Sequence, residues 1–259
     1  LDAAGYHSTK IHMNDDSKFT SEAIQWLKDY IAEPEAFEAI DYTATHQYDF
    51  RDFHTNPDGF DPIMQEWRDL SDKPFLSTEL CVNGKDWQVK SYRIAFIMAQ
   101  QYHKTLTITD AVAICYCWLL LDVEQPTYNW TRSLMGVDKE NGFLAVPTSH
   151  QLRTYGAYSR RIPTGMTRIE VASGHPDLLV SAFEDGEGGA TMVLLNRATK
   201  PLHAKVSGLD VAFTTAERTS ASMPNQIDED FDPDAPVRIA PGEIVTLTNV
   251  PLGLGPATE

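Results

Sequence analysis

Across the first 165 residues, stretches in which apolar side chains recur every second position take turns with stretches in which they recur every third or fourth. Residues 8–14 predict a short strand with Ile11 and Met13 on one face. Ile24, Leu27 and Ile31 then recur at helical spacing, predicting a helix from about Ser21 to Ala32 that Pro34 helps to stop. The run Asp41-Tyr-Thr-Ala-Thr-His46-Gln-Tyr48 predicts the next strand, with a Gly/Pro/Asp loop and a short helix around Pro62 to Leu70 after it. Lys73-Pro-Phe-Leu-Ser-Thr-Glu79-Leu-Cys81 predicts a strand that stays largely apolar until its tip, and a helix from about Asp86 to Lys104 follows. Ala113-Ile-Cys-Tyr-Cys-Trp118 predicts the strand after that. Beyond a long loop rich in Pro, Asn and Gly, a last helix runs from about Ser149 to Arg161, closed by Pro163 and Gly165.

Four strand-helix units in succession imply a parallel arrangement. From Thr167 the rhythm changes to strands separated by turns, with no helical pattern. The candidates are Thr167 to Ala172, Leu178 to Glu184, Ala190 to Asn196, Leu202 to Ser207, Phe213 to Ser220, Val237 to Ile239 and Glu243 to Thr248. Asp185-Gly-Glu-Gly-Gly189 is a hairpin signal. The expected fold is thus α/β followed by all-β: residues 1–165 as one domain and residues 166–259 as a small antiparallel β-sandwich. A closed barrel of parallel strands needs eight strand-helix units. Four of them make either half a barrel or a small open sheet, and the residues at the strand ends favour the half.

Those ends carry chemistry. Catalytic groups of barrel enzymes sit at the C-terminal tips of the strands, and here the tips hold Glu79, the pair His46 and Tyr48, and Trp118. A carboxylate, a His/Tyr pair and a sugar-sized indole suggest a glycosidase pocket. Each residue also has a plainer reading: Glu79 as a solvated loop residue, His46 as a satisfied core histidine, Tyr48 and Trp118 as core aromatics.

Charge narrows the partners. The 21 basic and 37 acidic residues give a net charge of −16 with no basic stretch, which argues against nucleic acid and anionic membrane surfaces. The acidic run Asp228-Glu-Asp-Phe-Asp-Pro-Asp234 lacks the turn glycine and closing glutamate of a calcium loop and reads as a solvated loop. Cys81, Cys115 and Cys117 lie in or beside strands predicted to be buried, and buried thiols are the expectation for all three. His7, His12 and His46 lack the spacing of zinc motifs, and no serine-nucleophile elbow or phosphate-cradling glycine loop is present, so no metal or organic cofactor is expected. No apolar stretch approaches membrane-spanning length, which predicts a soluble chain without a transmembrane segment; a signal peptide would lie upstream of Leu1.

From about Tyr6 to about Thr248 the chain resembles the C-terminal half of glycoside hydrolase family 30, of clan A, in its glucosylceramidase-like branch. The resemblance rests on an ordered set: Asn14-Asp15-Asp16; His46-x-Tyr48 with Asp49 and Phe50; Glu79-x-Cys81-Val82 with Trp87 beyond; Trp118; Asn129-Trp130-x-Arg132; and Ser159-Arg-Arg-Ile-Pro-x-Gly165. It implies the second half, strands five to eight, of a (β/α)8 barrel with a side β-sandwich, and retaining hydrolysis by two glutamates. Glu79 matches the nucleophile, Tyr48 the tyrosine that hydrogen-bonds it, and Trp118 the tryptophan lining the sugar subsite. Trp130 and Arg132 match residues of the following loop, where they either contact substrate or anchor the loop. His46 would orient the site or bind sugar hydroxyls. Gln47 stands where the branch has an aromatic and Gly84 where it has a serine, which bears on the aglycone and the sugar.

The family's acid/base glutamate, in an Asn-Glu-Pro run, is not among these residues. The resemblance therefore implies a carbohydrate or glycoconjugate substrate, and a partner in the N-terminal half of the same protein. Alone, the chain is expected to be inactive and to expose strand edges and apolar surface. The alternative expectation is a non-catalytic carbohydrate-binding or interaction module derived from such an enzyme.

Overall fold

The computed structural model describes residues 5, 8–13, 15–48, 56–81, 91–122, 133–140, 142 and 149–252. The chain divides into two compact units, residues 1–88 with 104–119, and residues 89–103 with 120–259. In chain order the first unit contains α1 (Ser21–Ala32), α2 (Pro34–Ala39), β1 (Thr43–His46), α3 (Asp61–Leu70) and β2 (Phe75–Leu80). α4 (Tyr92–Ile108) gives its last turn to this unit, and β3 (Ala111–Tyr116) completes it. Among the described residues, β1, β2 and β3 form a parallel sheet in that order.

Local sequence explains each element. Thr20 caps α1 by accepting from the Glu22 N–H, and Ile24 and Leu27 are fully buried at helical spacing. Pro34 does end α1, but it also opens α2, where its fixed φ and missing N–H suit the first turn. α3 opens on Asp61 and Pro62 for the same reason. α1, α3 and the sheet meet in a core of Phe19, Leu27, Met64, Trp67 and Phe75, with Trp67 edge-on to both phenylalanines. The Trp67 indole N–H donates to Thr43 Oγ1 at 3.2 Å, so this core also positions the start of β1.

The strand expected over residues 8–14 is only an isolated parallel bridge between His12 and Tyr42 among the described residues. Met13 is buried there, while Ile11 is 39% exposed rather than sharing its face. The segment is held by backbone hydrogen bonds of Ile11 and Met13 with Asp41 and Tyr42, and by the Asp41 carboxylate, which accepts from the Ile11 N–H and from Lys10. α4 runs four residues past Lys104, and the residues before 91 at its expected start lie outside the described ones. Lys104 is buried and donates to both Asp58 and Asp61, so its charge is paired inside the unit.

The second unit adds β4 (Leu120–Asp122), β5 (Met135–Val137), α5 (His150–Ser159), β6 (Thr167–Ile169), β7 (Leu178–Glu184), β8 (Ala190–Asn196) and β9 (Leu202–Ala204). It ends with β10 (Thr215–Thr219), β11 (Gln226–Ile227), β12 (Val237–Ile239) and β13 (Ile244–Thr248). An antiparallel sheet has the order β11-β10-β13-β8-β7-β6, and β9 pairs with β12 in a separate ribbon. The Asp185 turn joins β7 to β8 as the sequence predicts, with Asp185 Oδ1 accepting from the N–H groups of Glu187 and Gly189.

β8 and β13 are buried along their whole length. Met192, Leu194, Val245 and Leu247 pack in one core with Val237 and Ile239 of the ribbon. Their neighbours face α5, where Thr246 Oγ1 donates to the Ala157 carbonyl and Thr191 Oγ1 to that of Arg161. Burial on both faces explains why β8 reads as a continuous apolar run rather than an alternating one. Arg161, at the end of α5, forms a buried ion pair with Glu217 of β10 and donates to the Val250 carbonyl. The parallel pair β4/β5 and strand β11 carry no strong sequence signal because they are two or three residues long.

Replacing Trp67 with alanine removes the largest fully buried side chain of the first unit and leaves the Thr43 hydroxyl without its donor. A destabilisation of about 3–5 kcal/mol is expected in urea unfolding. Trp67→Phe, which keeps the ring but not the N–H, should cost clearly less.

Candidate active site

β1 and β2 run in register until Thr45 and Ser77, where an irregularity sets His46 opposite Glu79. The two strand ends are then tied by the Gln47 N–H, which donates to the Glu79 carbonyl at 2.8 Å. The Gln47 side chain is fully buried, and its Oε1 accepts from Ser77 Oγ at 2.9 Å and from Thr105 Oγ1 at 3.0 Å. A loop across the end of β1 completes the frame: the Asp16 carbonyl accepts from the His46 N–H at 2.9 Å and from Thr45 Oγ1 at 3.3 Å.

On this frame the Tyr48 hydroxyl donates a short hydrogen bond to Glu79 Oε2. His46 Nδ1 lies 3.4 Å from the same oxygen, and His46 Nε2 lies 3.8 Å from Asp15 Oδ2, so the imidazole sits between two carboxylates. The imidazole is edge-on to the Tyr48 ring at 5.5 Å. Asp15 is fixed in turn by Thr78 Oγ1, which donates to its Oδ1 at 2.7 Å. Burial, hydrogen bonding to Cys117 and hydrogen bonding to Glu79 together push the Tyr48 phenol far above its ordinary value of 10.0, so it stays a neutral donor. The Glu79 side chain is 39% exposed, while that of His46 is 19% exposed. The carboxylate is therefore held on one side by fixed donors and open to solvent on the other. Such an arrangement suits a group that attacks an electrophile brought to it.

The structure brings together Glu79, Tyr48 and His46 from the sequence-predicted set. Trp118 is half-buried and follows Cys117, through a cis peptide bond; the Cys117 thiol lies close to both Glu79 and Tyr48. Trp130 and Arg132 lie outside the described residues, as do Asn14, Asp49, Phe50, Gly84, Trp87 and Asn129. Sequence reasoning did not single out Asp15, whose only signal was its place in Asn14-Asp15-Asp16, or Cys117. The expectation of three buried thiols is corrected: Cys81 is buried, Cys117 half-buried and Cys115 exposed, and none is in a disulfide. Cys115 points away from the core because β3 buries only its first residue, Ala111, and leaves Val112 58% exposed.

No protein-family model matches the chain. Lysosomal acid glucosylceramidase of Mus musculus is 26% identical over 217 residues, which cover 80% of this chain and 40% of that protein. A family 30 endoxylanase of Clostridium papyrosolvens shares the fold with a TM-score of 0.70 at 15% identity, over 96% of this chain and 58% of the enzyme. The catalytic domain of the family 30 xylanase C of Talaromyces cellulolyticus gives a TM-score of 0.71 at 15% identity, over 95% of this chain and 53% of the domain. The chain thus spans two fifths to three fifths of the relatives it matches. The fold is the one that family 30 glycoside hydrolases carry, and the sequence is similar to that of a glucosylceramidase. In these two respects the chain resembles the C-terminal half of such proteins.

Proposed function

We propose that the complete protein is a retaining β-glycosidase, acting on β-glucosides or related glycoconjugates, and that this chain supplies its nucleophile, Glu79. The observation that carries this reading is the Tyr48 hydroxyl donating to a strand-tip carboxylate that stays open to solvent. In this reading residues 1–165 are the second half of an eight-stranded barrel and residues 166–259 its side β-sandwich. The likeness to glucosylceramidase supports the glucoside and, as one class of glycoconjugate, a glycosphingolipid.

The chemistry proceeds by two displacements. Glu79 attacks the anomeric carbon as the glycosidic bond breaks, and a carboxylic acid about 5–5.5 Å away protonates the departing oxygen. That acid belongs to the N-terminal half of the protein. Water, deprotonated by the same group, then attacks the glycosyl ester and releases Glu79. Tyr48 stabilises the carboxylate before attack and after release. As a neutral donor it adds no negative charge next to the nucleophile. His46, held between Glu79 and Asp15, fixes the carboxylate rotamer or receives a sugar hydroxyl. Trp118 offers an apolar face for the sugar ring, and by the resemblance Trp130 and Arg132 either contact substrate or anchor the loop that follows. No metal ion or organic cofactor is needed for these steps.

In the full-length protein, Glu79→Gln should lower turnover of an aryl β-glucoside by roughly a thousandfold or more, because an amide cannot form the covalent ester. Near-normal turnover in a folded variant would sink the assignment and favour a carbohydrate-binding module. A second expectation follows from Tyr48. Because its folded-state phenol is raised above 10.0, the stability it contributes is fully present below pH 10.0 and is lost as pH rises beyond it. Phenolate absorbance should show Tyr48 still protonated past pH 10.0, and Tyr48→Phe should flatten the alkaline loss of stability; identical curves for both proteins would contradict this.

A further inference from the structure

The ends of β2 and β3 set two cysteines side by side. Leu80 pairs with Tyr116, and the Cys117 N–H donates to the Leu80 carbonyl at 3.0 Å. The next residues on the two parallel strands, Cys81 and Cys117, are therefore cross-strand neighbours. Adjacent strands lie about 4.8 Å apart, within the Cα separation of about 4.4–6.8 Å that a disulfide spans. Both cysteines also lie close enough to the Tyr48 phenol to act on it electrostatically. Cys117 lies close to Glu79 as well. Cys115 is exposed on the same strand, but Tyr116 rather than Cys115 holds the register position opposite Leu80.

We propose that Cys81 and Cys117 form an oxidisable pair that closes to a reversible disulfide beside Glu79 and removes the Cys117 S–H, a donor within reach of the carboxylate. The effect on turnover rests on the reading of Glu79 as nucleophile; the bond itself does not. Glutathione disulfide is a sufficient oxidant. Cys117, the more accessible of the two, attacks it as the thiolate, forming a mixed disulfide and releasing one glutathione thiolate. Cys81 then attacks the Cys117 sulfur and releases the second. In sum two protein thiols and one glutathione disulfide become one protein disulfide and two glutathiones. Burial, and the negative charge of Glu79, push the Cys117 thiol above its ordinary value, so closure quickens as pH rises.

The test uses the full-length protein, equilibrated with glutathione disulfide, quenched with an alkylating reagent, digested and mapped by mass spectrometry. The expected map joins the Cys81 peptide to Cys117, leaves Cys115 alkylated and returns to three alkylated cysteines after reduction. Turnover of an aryl β-glucoside should fall roughly tenfold on oxidation, the worth of one hydrogen bond to a charged group, and recover on reduction. Cys117→Ala, which lacks the attacking thiol, should keep its own oxidised-to-reduced turnover ratio near one. Alkylation of both Cys81 and Cys117 after oxidation, a bond to Cys115, or unchanged turnover with the bond formed would each overturn the proposal. A reduced protein that hydrolyses no glycoside counts against Glu79 as nucleophile instead, and the disulfide map then decides the pairing alone.

Discussion

One buried amide ties the candidate site to the fold. The Gln47 backbone N–H holds the Glu79 carbonyl, and its side-chain oxygen takes hydroxyl donors from Ser77 of β2 and Thr105 of α4. Strands β1 and β2 and helix α4 are thereby locked at one point, one residue from His46 on one side and from Tyr48 on the other. Inside a protein such polar contacts are worth more than on the surface, and leaving buried hydroxyls unpaired costs about 1–3 kcal/mol each. An apolar side chain at position 47 would keep the backbone tie to Glu79 but would leave the Ser77 and Thr105 hydroxyls without their shared acceptor.

From that anchor the electrostatics of the site follow. Parallel strands deliver their C-terminal residues to one end of the sheet, so Glu79, His46 and Tyr48 meet without any long-range fold adjustment. Polar groups crowd one side of Glu79: the Tyr48 phenol, which donates to it, with the Cys117 thiol and the His46 ring close by. The opposite side is left to solvent. A carboxylate arranged in this way is positioned yet accessible, which separates it from Asp58 and Asp61, whose oxygens neutralise the buried Lys104. The same asymmetry places two thiols where oxidation would change the donors that Glu79 sees.

Much of this was legible in the sequence, for identifiable reasons. α1 was readable because Ile24 and Leu27 recur at helical spacing on its buried face and Pro34 marks its end. β7, β8 and their hairpin were readable because two apolar runs flank an Asp-Gly turn. Glu79, His46 and Tyr48 could be grouped because each closes a run of strand-forming residues. The segment at residues 8–14 failed because its alternation is satisfied by a single bridge and a side-chain clamp from Asp41, which no periodicity encodes. Cys117 was read as a core thiol because nothing in the sequence says that β3 buries only its first residue. Asp15 was passed over because its role depends on a hydroxyl sixty-three positions away, at Thr78.

The central claim is that Glu79 is the group that bonds covalently to the sugar. The most direct measurement incubates the full-length protein with a glucose-configured cyclitol epoxide or aziridine and locates the added mass by peptide sequencing. The account predicts one equivalent of label, carried as an ester on Glu79 and blocked by prior incubation with a competing glucoside. Label on another carboxylate, or continued turnover with Glu79 fully labelled, would contradict it.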